Sequence, residues 1–313
     1  MQSLTRFIFI CALLTNSSLY ATDTLRFIGD INFPTGEKFQ ETEIGGLSGI
    51  TYDQAQNKFL AISDDRSQVN EARFYEFDVT LTDKDFKVTP SKVVRLKNQK
   101  GTYFTKGSVD FEGISIHGKD VLISSEGGIN REFPIAPALY SFSRDGSFKE
   151  QLSVPEKFLL PKKEHTDKMY GSRDNKSFEA LSTSLDGKTT YMGSEEALFQ
   201  DGPISTIEAG STVRIILYKD LKPVGEIGYQ LEKVEAIKGG DLSTPAENGL
   251  VDIAAIDDKT FYAMERSYLP YQNKNVIRIF KCQITSNTTD LSKMDGIKSQ
   301  SFGRVEKTLV ADL

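Results

Sequence analysis

Histidine and cysteine are scarce. The 313 residues hold two of each, which argues against a zinc site of the usual His/Cys kind. His117 falls at a hairpin turn and His165 in the lysine-rich "PKKEHTDK", so both are expected to be solvated. Cys11 lies in an N-terminal stretch that reads as an export signal. Only Cys282 then remains in the mature chain, no internal disulfide can form, and a buried core role is expected for it. No Gly-x-Ser-x-Gly elbow occurs: in "GGLSGI", Ser48 has Gly46 two residues before it but Ile50 two after. The paired glycines at 45–46, 127–128 and 239–240 are turn signals, not phosphate loops opening a helix. An Arg-His-Gly motif is also missing, which argues against a histidine acid phosphatase. Positive charge is in deficit. The net charge is −6 and the pI near 5.2, which disfavours nucleic acid and anionic membrane as partners.

The export signal is short but recognisable. Arg6 supplies the positive region, "FIFICALL" the apolar stretch, and "NSSLYA" a cleavage point after Ala21. Residues 22–313 are left as one exported domain, periplasmic or secreted, and no later apolar run approaches membrane-spanning length. A monomer is expected.

Strand signals fill the remainder, and they repeat. Four segments align: "GLSGITYDQAQNKFLAISDDR" (46–66), "DFEGISIHGKDVLISSEGG" (110–128), "SFEALSTSLDGKTTYMGSEEA" (177–197) and "LVDIAAIDDKTFYAMERS" (250–267). Each reads as a polar or acidic residue, a small apolar strand, a turn, a second strand and a terminal acid. Third and weaker fourth strands follow every copy. Four antiparallel strands per unit of about 65 residues is the pattern of a propeller blade with generous loops. The fold class is therefore all-β, a β-propeller of four-stranded blades with four repeats detected and the blade count open. The stretch "TLRFIGDINFP" (24–34) is placed to add a strand to the last sheet and close the ring.

Equivalent positions of a propeller converge around one axis. The first aligned positions are Ser48, Glu112, Glu179 and Asp252; the last are Asp64 with Asp65, Glu126, Glu195 and Glu265. These acids would form a ring at one mouth of the channel. Like charges so placed destabilise the fold unless something positive sits among them. A hard cation with oxygen ligands, calcium above all, is one answer; the neighbouring Arg66, Arg173 and Arg266 are another.

These same residues carry a resemblance. "VDFEGISI" followed by "VLISSEGG", "GSRDNKSFEALS" with "DGKTTYMGSEEAL", and "GLVDIAAIDDKTFYAMERS" resemble the phytase-like domain family of bacterial exported proteins, labelled "esterase-like activity of phytase". The similarity runs from about residue 43 to the C-terminus. It implies a β-propeller, export, and a phosphoesterase or esterase activity on a small-molecule ester. Members commonly continue past a segment such as "EKTLVADL" with a further acidic repeat, whereas this sequence stops at Leu313.

Carried onto this sequence, the resemblance points to Asp64, Asp65, Arg66, Glu112, Glu126, Arg173, Asn175, Glu179, Glu195, Asp252, Glu265 and Arg266. The expected roles are metal ligation by Asp64, Asp65, Glu112, Glu126, Glu195, Asp252 and Glu265. Glu179 is expected to take a proton, with Arg173 and Arg266 gripping a phosphate and Arg66 and Asn175 contacting substrate. Two other readings remain open: a non-catalytic binding propeller with structural calcium, and a lactonase-like hydrolase, which Asn175 beside Glu179 would suit.

Overall fold

A computed structural model describes residues 23, 25–82, 85–160, 169–235, 246–270 and 274–313. The export signal at 1–21 and His165 lie outside the described residues. A short ribbon, β1 (Lys38–Phe39) and β2 (Thr42–Glu43), precedes sixteen strands in four antiparallel sheets. Blade one is β3 (Leu47–Asp53), β4 (Lys58–Ser63), β5 (Arg73–Leu81) and β6 (Phe86–Arg95). Blade two is β7 (Phe111–His117), β8 (Asp120–Ser125), β9 (Ala138–Ser143) and β10 (Phe148–Leu152). Blade three is β11 (Phe178–Thr183), β12 (Thr189–Ser194), β13 (Thr212–Lys219) and β14 (Lys222–Gln230). Blade four is β15 (Glu247–Ala255), β16 (Thr260–Leu269), β17 (Lys274–Gln283) and β18 (Glu306–Asp312). In each sheet the strands lie in sequence order, so each blade is a meander and the fold is a four-bladed β-propeller.

Hairpin chemistry sets the inner strand pairs. Gly118 turns β7 into β8 at φ +59°, and Gly187 turns β11 into β12 at φ +73°. At the second turn Asp186 Oδ1 accepts from Ser184 Oγ at 2.7 Å and from the Lys188 amide at 3.1 Å, the Asx pattern that fixes such turns.

Alternation along the strands gives every blade two apolar faces, and these stack in succession. Leu60, Ile62 and Phe74 of blade one pack with Phe111, Ile114 and Val121 of blade two. Leu122 and Leu139 meet Phe178, Leu181 and Met192. Tyr191 and Ile215 meet Leu250, Phe261 and Phe280, with Cys282 fully buried among them. Near the axis the inner strands touch backbone to backbone. A Cβ on Gly49 would stand 2.5 Å from the Glu112 carbonyl oxygen, and one on Gly113 2.5 Å from that of Glu179. Only glycine permits this approach.

The fourth junction differs. No core cluster among the described residues joins blade four to blade one. The exposed face of blade one (Ala61, Tyr75, Phe77) is covered instead by Phe33, Phe39 and Ile44. At the other side of the seam Asp23 accepts from Tyr262 Oη at 2.5 Å and pairs with Lys281 at 2.8 Å. Asp23 and residues 25–35 thus form a strap from blade four to blade one. The strap is not the added strand that the sequence suggested: its described residues make no strand pairing, and the outer strand of the last sheet is β18. Leu47, Ile50 and Tyr52 of β3 accordingly remain exposed.

Candidate functional site

The start of each inner strand carries a bulge. Pairing skips between Leu47 and Gly49, between Phe111 and Ile114, and between Phe178 and Ala180. The residues set out of register are Ser48, Glu112 and Glu179, and a bulge re-aims a side chain. The second strand ends in a matching way: Leu47 pairs with Ser63, Phe111 with Ser125 and Phe178 with Ser194. The next residues, Asp64, Glu126 and Glu195, donate their amides to Gly46, Asp110 and Ser177. Three blades therefore deliver one set of acids to one mouth.

Blade four is offset by one residue from the sequence alignment. Leu250 pairs with Glu265, and the bulge falls at Val251. Val251 and Arg266, not Asp252 and Glu265, stand where the other blades place their acids. One residue of shift in a strand reverses the face. Glu265 accordingly points into the blade, where it accepts from Tyr229 Oη (2.7 Å), Lys307 Nζ (2.7 Å), Asn248 Nδ2 (2.8 Å) and the Glu232 amide (2.9 Å). Asp252 lines a groove with Leu25, Tyr262 and Met264 on the seam face, and burial raises its carboxyl to about 7.

The carboxylates that do converge form two triads. Asp110, Glu112 and Glu126 bring oxygens within 4.8 Å of one another, as do Glu126, Glu179 and Glu195. Glu126 belongs to both. Asp110 was not singled out from the sequence, although the "VDFEG" motif contains it two residues before Glu112.

Basic groups surround the triads unevenly. Arg66 and Arg131 both bond to Asp110, Arg131 at 2.6 Å, and Asn175 Oδ1 accepts from Arg131 at 2.5 Å. Lys176 reaches Glu195 Oε1 at 3.1 Å and Glu247 at 2.6 Å. Arg266 stands 3.7 Å from Glu179 and 3.9 Å from Glu195. Glu112 accepts the Ser48 hydroxyl. Glu126 accepts only the Ser177 amide, at 3.3 Å, and no ion pair is formed by it among the described residues. Glu195 Oε2 is buried with no hydrogen-bond partner among the described residues.

The electrostatics follow. Burial, then the neighbouring Glu195, Glu179 and Glu112, push Glu126 up to about 10. Burial pushes Glu112 to about 8, against the Ser48 hydrogen bond and with the help of Asp64. Glu179 is raised well above its ordinary value by burial and by Glu195, with Arg266 opposing. Glu195 is raised by burial, although Lys176 holds it back. Burial also raises Asp64.

Other expected site residues are placed elsewhere. Arg173 donates to the carbonyls of Ala197 (2.8 Å) and Gly202 (2.7 Å) and stacks on Phe199. Asp65 is bound by Arg73 and by the Asn70 amide. Both fix loops.

A family model described as phytase-like, esterase-like activity of phytase, matches residues 42–313. The chain belongs to the phytase-like family. No curated protein matches it. The matched span takes in all four blades and both triads and leaves out the strap. No helix among the described residues is long and apolar enough to cross a membrane.

The donor set of this phytase-like chain fits a hard divalent cation. Every candidate ligand is a carboxylate oxygen, with neither histidine nor thiolate among the triads, which suits calcium or magnesium over zinc. Among the described residues Glu195 Oε2 has no hydrogen-bond partner and Glu126 has no ion pair, so both have acceptor capacity to offer such a cation.

Proposed function

We propose that the protein is an exported hydrolase of small esters, phosphate esters first, whose acidic mouth holds a calcium ion. The reading is carried by Glu126, a buried carboxylate shared by two triads and with no basic partner among the described residues. Glu112, Glu126 and Glu195 would hold the ion, with Asp110 beside them turned toward Arg66 and Arg131. When bound, the ion would offset ester charge and acidify a water. Glu179 would accept the proton at its carboxylate, its basicity raised by burial and Glu195. Arg266, 44% exposed, has the freedom to turn its guanidinium from Glu179 to an incoming phosphate, a shape it matches in bidentate fashion. Arg173 is committed to two carbonyls and holds its loop instead.

The depth of the triads supports a second reading. Asp110, Glu112, Glu126 and Glu195 are all buried, as suits an ion that only locks the blades of a ligand-binding propeller. Elemental analysis of the purified protein, with aryl phosphate, aryl ester and lactone substrates assayed with and without chelator, separates the two. Chelator-sensitive turnover that is lost in Glu179→Gln supports the hydrolase. A chelator-sensitive melting temperature with no turnover of any substrate supports the binding propeller. Absence of bound metal overturns both.

A further inference from the structure

Blade one leaves its inner strand open. Leu47 and Ile50 of β3 are 40% and 55% exposed. At the matching positions blade two holds Phe111 and Ile114, and blade three Phe178 and Leu181. None of these four exceeds 2% exposure, because each packs against the blade before it. Leu47 and Ile50 instead border a groove of about 390 Å³, a size within the ~300–1,000 Å³ of small-molecule sites. The face of blade one forms its floor through Phe59, Phe77, Val79 and Val88, and Ile31 and Phe33 of the strap form its roof.

The lining is apolar except for Ser48, and no charged residue belongs to it. Ser48 is also the residue that the bulge of β3 sets out of register, and its hydroxyl donates to Glu112 of the first triad. Asp64 and Arg66 stand close enough to Glu112 to act on its charge. The groove and the acidic mouth therefore meet at one side chain. A ligand that reaches from one to the other has a polar end among the acids and a hydrocarbon end under the strap. An exposed apolar concavity with a polar rim is the mark of a binding surface, and its continuity with the mouth through Ser48 says which molecule fills it.

We propose that the groove receives the hydrocarbon half of the substrate, an alkyl or aryl group, so that the preferred ester is amphiphilic. The inference rests on the hydrolase reading for turnover but not for binding. Phosphonates, whose carbon–phosphorus bond is not an ester, read binding alone. Hexylphosphonate and methylphosphonate are titrated calorimetrically into the calcium-supplemented protein. Each fully buried methylene tightens binding about fourfold. With the groove open along one side, the hexyl compound should bind at least about tenfold tighter than the methyl one. Ile50→Asn places an amide in the groove at an exposed position outside the triads, and should cut that advantage to about twofold. Leu309→Asn makes the same exchange at an exposed site on blade four, 50% exposed, and should leave the advantage whole.

In turnover, hexyl phosphate should be preferred to methyl phosphate by a similar factor, and Ile50→Asn should lose the preference through KM. If no ester is cleaved but hexylphosphonate binding still depends on Ile50, the hydrolase reading fails and the groove stands. If esters are cleaved without regard to chain length, or hexylphosphonate binds no tighter than methylphosphonate, the groove inference is wrong. A parent that sediments as a dimer, with Ile50→Asn a monomer and no chain-length preference in either, would assign the groove to a second copy of the chain and overturn the inference equally.

Discussion

Arg266 holds in blade four the place that Glu195 holds in blade three, and its guanidinium stands 3.9 Å from that carboxylate. The ring of acids is thus broken by one built-in cation. Arg266→Gln removes it and leaves Lys176 alone to offset Glu179 and Glu195. Because Arg266 is partly exposed, the loss in chelator-treated protein should be about 1 kcal/mol, or roughly 2 °C in melting temperature. The calcium-induced rise in melting temperature should grow, since the ion then meets less competition. Thermal scans with chelator and with calcium check both; an unchanged calcium increment would remove Arg266 from the site's electrostatics.

Glu126→Gln should separate folding from metal binding. Glu126 is pushed to about 10 chiefly by burial, so at pH 7 without a cation its carboxyl is neutral, and the amide is a near match for it. Chelator-treated Glu126→Gln should therefore melt at or slightly above the parent temperature. Calcium should stabilise it far less, because a member of both triads can no longer supply an anionic ligand. Equal calcium stabilisation in the two proteins would place the ion away from Glu126.

The blade architecture was legible because hairpins write alternation and turn residues locally. The four inner pairs, their turns and the third strands all stand where the repeat puts them. What the sequence concealed is a matter of single-residue register. Asp252 and Glu265 align well by eye, yet the bulge at Val251 turns both away from the mouth. Only the pairing of Leu250 with Glu265 reveals it, because a bulge carries no residue signature of its own. Arg131 and Lys176 lie outside the aligned strands and reach the site from loops. Arg173 sits in the most family-like stretch, but its carbonyl partners come from residues 24 and 29 positions later.

Asp252 gives a pH signature independent of the triads. Its folded-state carboxyl is raised by burial to about 7 from 3.8, and only the Ile253 amide opposes the shift. Between about pH 4 and 7 the folded chain holds a proton that the unfolded chain has released. Unfolding then releases a proton, so stability falls as pH rises through this window and levels off above it. Asp252→Asn cannot ionise. It should melt with the parent near pH 4 and above it at pH 8, by about 1–2 kcal/mol once solvent in the groove is allowed for. Melting both proteins across the range isolates this group, since all other titrating residues are common to them. A constant difference at pH 4 and pH 8 would refute the assignment.

Closure of the ring should depend on the strap, because among the described residues blade four and blade one share no core cluster. Phe33 packs on Phe77 with ring centroids 5.7 Å apart, and Asp23 holds the other end at Tyr262 and Lys281. Between them Gly29 passes so close to Phe86 that a Cβ would stand 2.6 Å from the ring. Gly29→Leu cannot lie flat there and should lift the middle of the strap, while Phe33→Ala removes an anchor worth about 2 kcal/mol for a partly buried ring. Both should lower the melting temperature by several degrees, and hydrogen exchange should rise first in β3 and β15, the inner strands facing the seam. Calcium affinity should change little, since the triads are built by blades two and three. Faster exchange spread evenly over all four blades would show that the propeller closes without the strap.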